Sequence, residues 1–166
     1  MTTGPDSLPV PEEPLSFGDV TLRFVAVGPG DAPRGLAPFY HFRILSEEGE
    51  DLGHINFRVG DTDHVRFFAG HIGFEILEPF RGHGYARRAC EALAPLVRRV
   101  YEAVIITCDP DNLPSRRTIE HLGAAFLDEV AVPPHDPHYQ GGSRWKRRYL
   151  WTVGPAAEGG QDRGEA

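Results

Sequence analysis

Apolar and polar positions alternate from Val20 to Ala26, with Val20, Leu22, Phe24 and Ala26 set against Thr21 and Arg23. That period of two predicts a half-buried strand. The Pro- and Gly-rich stretch GPGDAPRGLAP at 28–38 then reads as a loop. Two more alternating runs follow, first Tyr40, Phe42 and Ile44 against His41 and Arg43, then Ile55, Phe57 and Val59 against His54, Asn56 and Arg58. The turn EEGED between them makes the pair a hairpin. After GDTD, a longer strand is predicted from about Val65 to Leu77, with His71, Gly73 and Glu75 on one face and Ile72, Phe74 and Ile76 on the other.

Beyond Gly82 the period changes. Between 82 and 101, Tyr85, Ala86, Ala89, Cys90, Leu93, Leu96, Val97 and Val100 recur at helical spacings with arginines outside them, which predicts an amphipathic helix. Pro95 cannot bond the Glu91 carbonyl, so a kink or an end of regular helix is expected there, although the apolar face continues past it. The compact run VIITC at 104–108 reads as a strand buried on both faces. A second helix is expected from about Leu113 to Leu122, started by Asn112 as N-cap and stopped by Gly123. Residues 125–132 and 146–153 are the last strands, separated by an unusually long loop. The order β-β-β-β-α-β-α-β-β contains one β-α-β crossover. The predicted fold class is α+β, of α/β sandwich type: a mixed, mostly antiparallel central sheet of about seven strands with helices on its faces.

A chain of 166 residues fits one such domain. Residues 1–16, rich in proline and acids, are expected to form a flexible lead-in, residues 17–153 the single domain, and residues 154–166 a flexible tail. The net charge of -7, from 24 acids against 17 bases, argues against nucleic-acid or membrane partners. No apolar run approaches the roughly 20 residues that span a bilayer. The start MTTGPDSLPV has neither a basic nor an apolar signal region, so a soluble cytoplasmic protein is expected. Cys90 and Cys108 read as reduced, buried small residues rather than nucleophiles.

The candidate chemistry lies in EPFRGHGYARR, between a predicted strand and a predicted helix. The first amides of a helix have no intrahelical partner, and an anion satisfies them. Gly82 and Gly84 let the backbone approach a bulky phosphate, Ala86 keeps the first turn thin, and Arg81, Arg87 and Arg88 add positive charge. A diphosphate suits such a turn. The competing readings are an ordinary tight connection and a dinucleotide fingerprint, whose third glycine is here replaced by Arg87.

These residues resemble the acyl-CoA-dependent N-acetyltransferase superfamily known as GNAT. Its cofactor signature is Arg or Gln, two variable residues, Gly, one variable residue, then Gly or Ala, and Arg81, Gly84 and Ala86 match it. A second segment, DPDNLPSRRTIEHLGAAF, is similar to the family's other cofactor-binding region, with Asn112, Ser115, Glu120 and Gly123 at the expected spacings. The likeness spans about residues 20–153 and implies a GNAT-like acyl-CoA N-acyltransferase fold. It implies acetyl-CoA as co-substrate, held by a cradle of Arg81, Gly82, His83, Gly84, Tyr85 and Ala86. The pantetheine arm would bond main chain near Phe74, Ile76 and Leu77, with Asn112 and Ser115 close to the thioester. A Tyr general acid often follows that Asn by seven positions. Ile119 stands there instead, as in the branch that acetylates ribosomal-protein N-termini and related acceptors. The family's usual helices between its first two strands are replaced by the short stretch at 28–38.

The implied reaction is direct transfer of an acetyl group to a primary amine of a small molecule or peptide, without an acyl-enzyme. Glu75 is the candidate base, because Phe74, Ile76 and Leu77 argue for partial burial and hence a raised pKa; a surface carboxylate is the alternative. His71 is the second candidate, against a satisfied structural histidine. Ser115, Tyr139 and Tyr149 are unranked donors to the leaving thiolate, and Asn112 can serve as a simple cap. His135 and His138 lie close together without a ligand set around them, so no metal is expected. The basic run RWKRR at 144–148 is expected to face solvent or an acidic partner. Loops 28–38 and 133–144 are expected to shape the acceptor pocket, and the oligomeric state, a homodimer included, is open. The rival class is a non-catalytic acyl-CoA-binding or regulatory domain.

Overall fold

The computed structural model describes residues 8–11 and 14–154, so most of the predicted lead-in and the predicted tail beyond Gly154 lie outside it. Its strands are β1 (Leu15–Phe17), β2 (Val20–Gly28), β3 (Phe39–Leu45), β4 (Asp51–Arg58), β5 (Ile72–Ile76), β6 (Ala103–Cys108), β7 (Ala125–Ala131) and β8 (Trp145–Thr152). The helices are α1 (Tyr85–Arg98), α2 (Leu113–His121) and the single turn α3 (Pro137–Gln140). All strands join one eight-stranded sheet in the order β1-β2-β3-β4-β5-β6-β8-β7. Every neighbouring pair is antiparallel except β5 and β6. The predicted mixed, mostly antiparallel α+β architecture is therefore observed, with β1 as the added strand. Leu15 and Ser16, placed by composition in the lead-in, form part of that edge strand, where Leu15 is buried. Upstream, the Tyr40 hydroxyl donates to the Pro9 carbonyl at 2.7 Å.

The register sorts side chains onto two faces. Tyr40, Phe42, Ile55, Phe57 and Ile72 lie under the helices and are almost fully buried, together with Ala89, Cys90, Leu93 and Val97 of α1 and Ile119 of α2. Burying each large apolar side chain contributes about 1.5–3 kcal/mol. The alternate residues His41, His54, Asn56, Arg58, Gly73 and Glu75 share the opposite, polar face. There the His41 ring and the Asn56 carboxamide meet at 2.6 Å. Among the described residues, the segment between β2 and β3 holds only a single 3-10 turn at Ala32–Arg34, so no long helix of that segment covers this face.

One expectation is corrected. The strand predicted from Val65 to Leu77 is a π-helical turn at His64–Ala69 followed by the short β5. Val65 and Ala69 are buried four residues apart, a helical spacing, and Gly70 at φ 76° ends the turn before the true alternation begins. Of the two outcomes expected at Pro95, an end of the helix is not seen: α1 continues past it to Arg98, as the apolar spacing predicted. Its side is exposed, so water can satisfy the carbonyl that proline leaves without an internal donor. Among the described residues, no helix is long and apolar enough to cross a membrane.

Candidate active site

The parallel pair β5–β6 is paired at a single register position, Ile72 with Ile106. Past that point the strands diverge. Leu77 donates to the Leu52 carbonyl and Arg58 to the His71 carbonyl, which sets the phase of the β4–β5 ladder. Alternate residues of β5 therefore turn their main-chain groups toward β4, leaving those of Phe74 and Ile76 toward the gap. The Ile76 carbonyl accepts from Arg81 Nε at 2.7 Å, which pins the glycine turn to the strand.

A cavity of about 710 Å³ opens on the helix side of this gap. Phe74, Glu75 and Ile76 of β5 line it with Arg81, Gly82, Gly84, Tyr85 and Ala86 of the turn and Asn112 and Ser115 of the second motif. The turn is built by two glycines in the left-handed region, Gly82 at φ 87° and Gly84 at φ 76°, where other residues are strained. Gly84 is the N-cap of α1 and carries no side-chain cap. Among the described residues, no carbonyl or side chain accepts from the amides of residues 82–87, whereas the Arg88 amide bonds the Gly84 carbonyl. Free amides, a helix N-terminus and guanidinium groups at Arg81, Arg87 and Arg117 give this cavity the electrostatic features that favour an anion.

Some predicted members are elsewhere. Arg88 is turned away, paired with Asp19 at 2.8 Å and stacked over the Tyr85 ring. Leu77 and His83 do not line the cavity. Glu75 lines it, but its side chain is 61% exposed, with the Arg81 guanidinium 3.8 Å away, so the partial burial expected of it is not found. His71 lines neither this cavity nor the next; it is 4% exposed, accepts from the Ile105 amide through Nδ1 at 3.0 Å, and faces Asp61 through Nε2 at 3.3 Å. Burial pushes its pKa down, opposed by Asp61. With both ring nitrogens engaged, it joins β5 to β6 rather than facing either cavity. Tyr149 also lines neither cavity: its hydroxyl donates to Glu120 at 2.8 Å and accepts from Arg147 at 2.6 Å beneath α2. Tyr139 packs under the Arg144 guanidinium, and its side chain likewise lies outside both cavities. Of the proposed donors, only Ser115 lines them.

The second cavity, of about 210 Å³, is lined by Phe74, Asn112 and Ser115, which also line the first, so the two adjoin through the gap between β5 and β6. Its remaining lining includes Arg58, Gly73, Thr107, Cys108, Asp109, His138 and Lys146. Sequence reading passed over Arg58, Asp109 and Lys146, because a polar residue on an alternating strand or in a turn carries no signal of its own. Lys146 is 7% exposed and pairs with Asp109 at 2.9 Å, while Ser143 donates to the same carboxylate oxygen at 2.6 Å. Burial pushes the Asp109 pKa up, but the Ser143 and Lys146 hydrogen bonds outweigh it and leave the group below its usual range. Burial, helped by Lys146, holds His138 down at about 4. Burial likewise pushes the Cys108 thiol up to about 11, which makes it a poor nucleophile at neutral pH. Among the described residues, no group of three or more His, Cys, Asp or Glu is arranged to hold a metal ion.

A splayed parallel pair inside a mostly antiparallel sheet, with two adjoining cavities at the gap, defines the class of fold. The model of the acetyltransferase (GNAT) domain matches residues 22–125, and the chain belongs to that family, an acyltransferase family. Solved structures agree in fold. A GNAT-family acetyltransferase from Bacillus anthracis aligns with a TM-score of 0.53 at 24% identity, covering 68% of this chain and 66% of that one. The microcin self-immunity acetyltransferase MccE, in complex with acetyl-CoA and AMP, aligns with 0.54 at 19% identity, over 69% of this chain and 61% of its own. RimL, a ribosomal alpha-N-protein acetyltransferase in complex with coenzyme A, aligns with 0.61 at 15% identity, over 88% of this chain and 100% of its own. No curated protein sequence matches the chain.

Proposed function

We propose that the protein transfers an acetyl group from acetyl-CoA to a primary amine by direct attack on the thioester. The observation that carries this reading is the run of unbonded amides from Gly82 to Arg87 at the mouth of the 710 Å³ cavity. Those amides, with Arg81, Arg87 and Arg117, fit the phosphates of coenzyme A, and the Phe74 main chain and the Ile76 amide, turned toward the gap, fit the amide groups of its pantetheine arm as an added strand would. The complexes of MccE and RimL with acetyl-CoA and coenzyme A support the same donor for this fold.

The acceptor occupies the 210 Å³ cavity and meets the thioester at Phe74, Asn112 and Ser115, the residues that line both spaces. Glu75 removes a proton from the ammonium group, directly or through water, and its exposure leaves that proton an exit to solvent. The amine nitrogen bonds the carbonyl carbon, the carbon–sulfur bond breaks, and Ser115 passes its proton to the leaving thiolate while taking up the excess proton of that nitrogen, so that a neutral amide, a thiol and an intact serine result. One acetyl group moves and one proton is released. Backbone amides along β5 stabilise the oxyanion.

The test is thiol release from acetyl-CoA over a panel of small amines, amino acids and peptide N-termini, with calorimetric binding measured in parallel. Thiol release that depends on an amine supports transfer. Tight binding with no release for any amine would favour the non-catalytic acyl-CoA-binding reading, and an absence of binding would remove both.

A further inference from the structure

The small cavity carries a charge that its own walls do not balance. Arg58 and Lys146 line it as cations, and among the described residues the only carboxylate in its lining is Asp109, which Lys146 and Ser143 already occupy. His138 adds no charge at neutral pH, since burial and Lys146 hold it near 4. Arg58 is half-buried, and one of its nitrogens donates to the backbone carbonyls of Ala69 at 3.3 Å and Gly70 at 3.1 Å. Among the described residues it has no carboxylate partner. The guanidinium lies over Gly73, where a Cβ would come within 3.2 Å of it, so the glycine leaves the fork its place on the polar face. An unpaired guanidinium at the wall of a polar pocket is a site for an anion of planar, two-oxygen geometry.

Resting on the transferase reading above, we infer that the acceptor is a small amine bearing a carboxylate, of the α-amino acid type, and that Arg58 selects it by receiving the carboxylate while its amine points toward the gap at Phe74 and Ser115. The single unbalanced positive charge matches one carboxylate better than a phosphate monoester, which carries about -1.5 to -2. The volume agrees, since 210 Å³ is roughly seven water molecules' share of liquid. That admits a carboxylate, an amine and a short side chain.

The test compares free amino acids with their carboxamides and their decarboxylated amines as acceptors for the unaltered protein, read by thiol release. The expected result is a preference for the free acid of about 100-fold in kcat/KM. In Arg58→Gln that preference should collapse through KM for the acid, with KM for acetyl-CoA unchanged. Equal rates with acids and carboxamides would overturn the inference and leave the transferase reading standing, as would an Arg58→Gln protein that keeps the preference. Failure of every acceptor would remove both. Should the substitution disturb folding at Ala69 and Gly70, the comparison of ligands on the unaltered chain decides by itself.

Discussion

The two adjoining cavities are built in opposite ways. The larger one is lined by the short stretches 74–76, 80–82 and 84–87 and by one face of the segment between Asn112 and His121, and its binding groups include backbone amides that any sequence would supply given the right turn. The smaller one gathers side chains from Arg58, Asp109, His138 and Lys146, which lie far apart in the chain. A cradle of backbone recognises what all donors of one class share, whereas a pocket of side chains can change its acceptor by single substitutions. On the proposed function, common chemistry would sit on the contiguous region and specificity on the assembled one.

That contrast breaks most directly at Gly84. A β-branched residue at φ 76° is strained by about 1–2 kcal/mol, and its Cβ would meet Arg88 at 3.1 Å. With the loss of charge-assisted amide bonds, Gly84→Val should weaken acetyl-CoA binding by about 300-fold in calorimetry. Unchanged affinity would mean that the turn is not the cradle. Next in size is Glu75→Gln, expected to lower kcat by about 100-fold with little change in acetyl-CoA affinity, and with partial recovery at high pH, where the amine loses its own proton. Full turnover at neutral pH would remove Glu75 from the reaction.

A smaller effect tests the assembled pocket. His138, faced by Asp136, His64, Lys146 and Arg58, titrates near 4 in the folded protein against 6.5 for a free side chain. Between those values the unfolded chain binds a proton that the folded one refuses. Stability should therefore fall as pH drops from about 6.5 toward 4, by on the order of 2 kcal/mol. His138→Gln should flatten that slope in urea melts, and an unaltered slope would show that His138 is not its source. The smallest change is expected from Tyr149→Phe, which should cost about 1 kcal/mol of stability by unpairing Glu120 while leaving turnover within about twofold. A large fall in kcat there would place the tyrosine in the chemistry after all.

The strands at 20–28, 39–45 and 51–58 and both long helices were legible because each buries one face, and a buried face imprints its period on the residues. The region 64–77 was misread for the same reason in reverse: the aromatic residues beside Val65 and Ala69 suit a strand, and only packing against β6 and β8 selects the π-helical turn. Among candidate site residues, the glycine turn was readable because left-handed backbone demands glycine wherever it occurs. His71 and Tyr149 were not, since a histidine or tyrosine looks the same in sequence whether its polar atoms face a cavity or are already bonded inside the core.

The amino-acid sequence alone determined the class of sheet, the crossover and the turn whose amides are left unbonded, all of which are local consequences of period and backbone freedom. Only the tertiary structure decided that, among the described residues, Arg58 is left without a carboxylate partner while Lys146 is not. Charge balance in a pocket depends on which distant side chains are brought within a few ångströms of one another, and no local pattern encodes that distance.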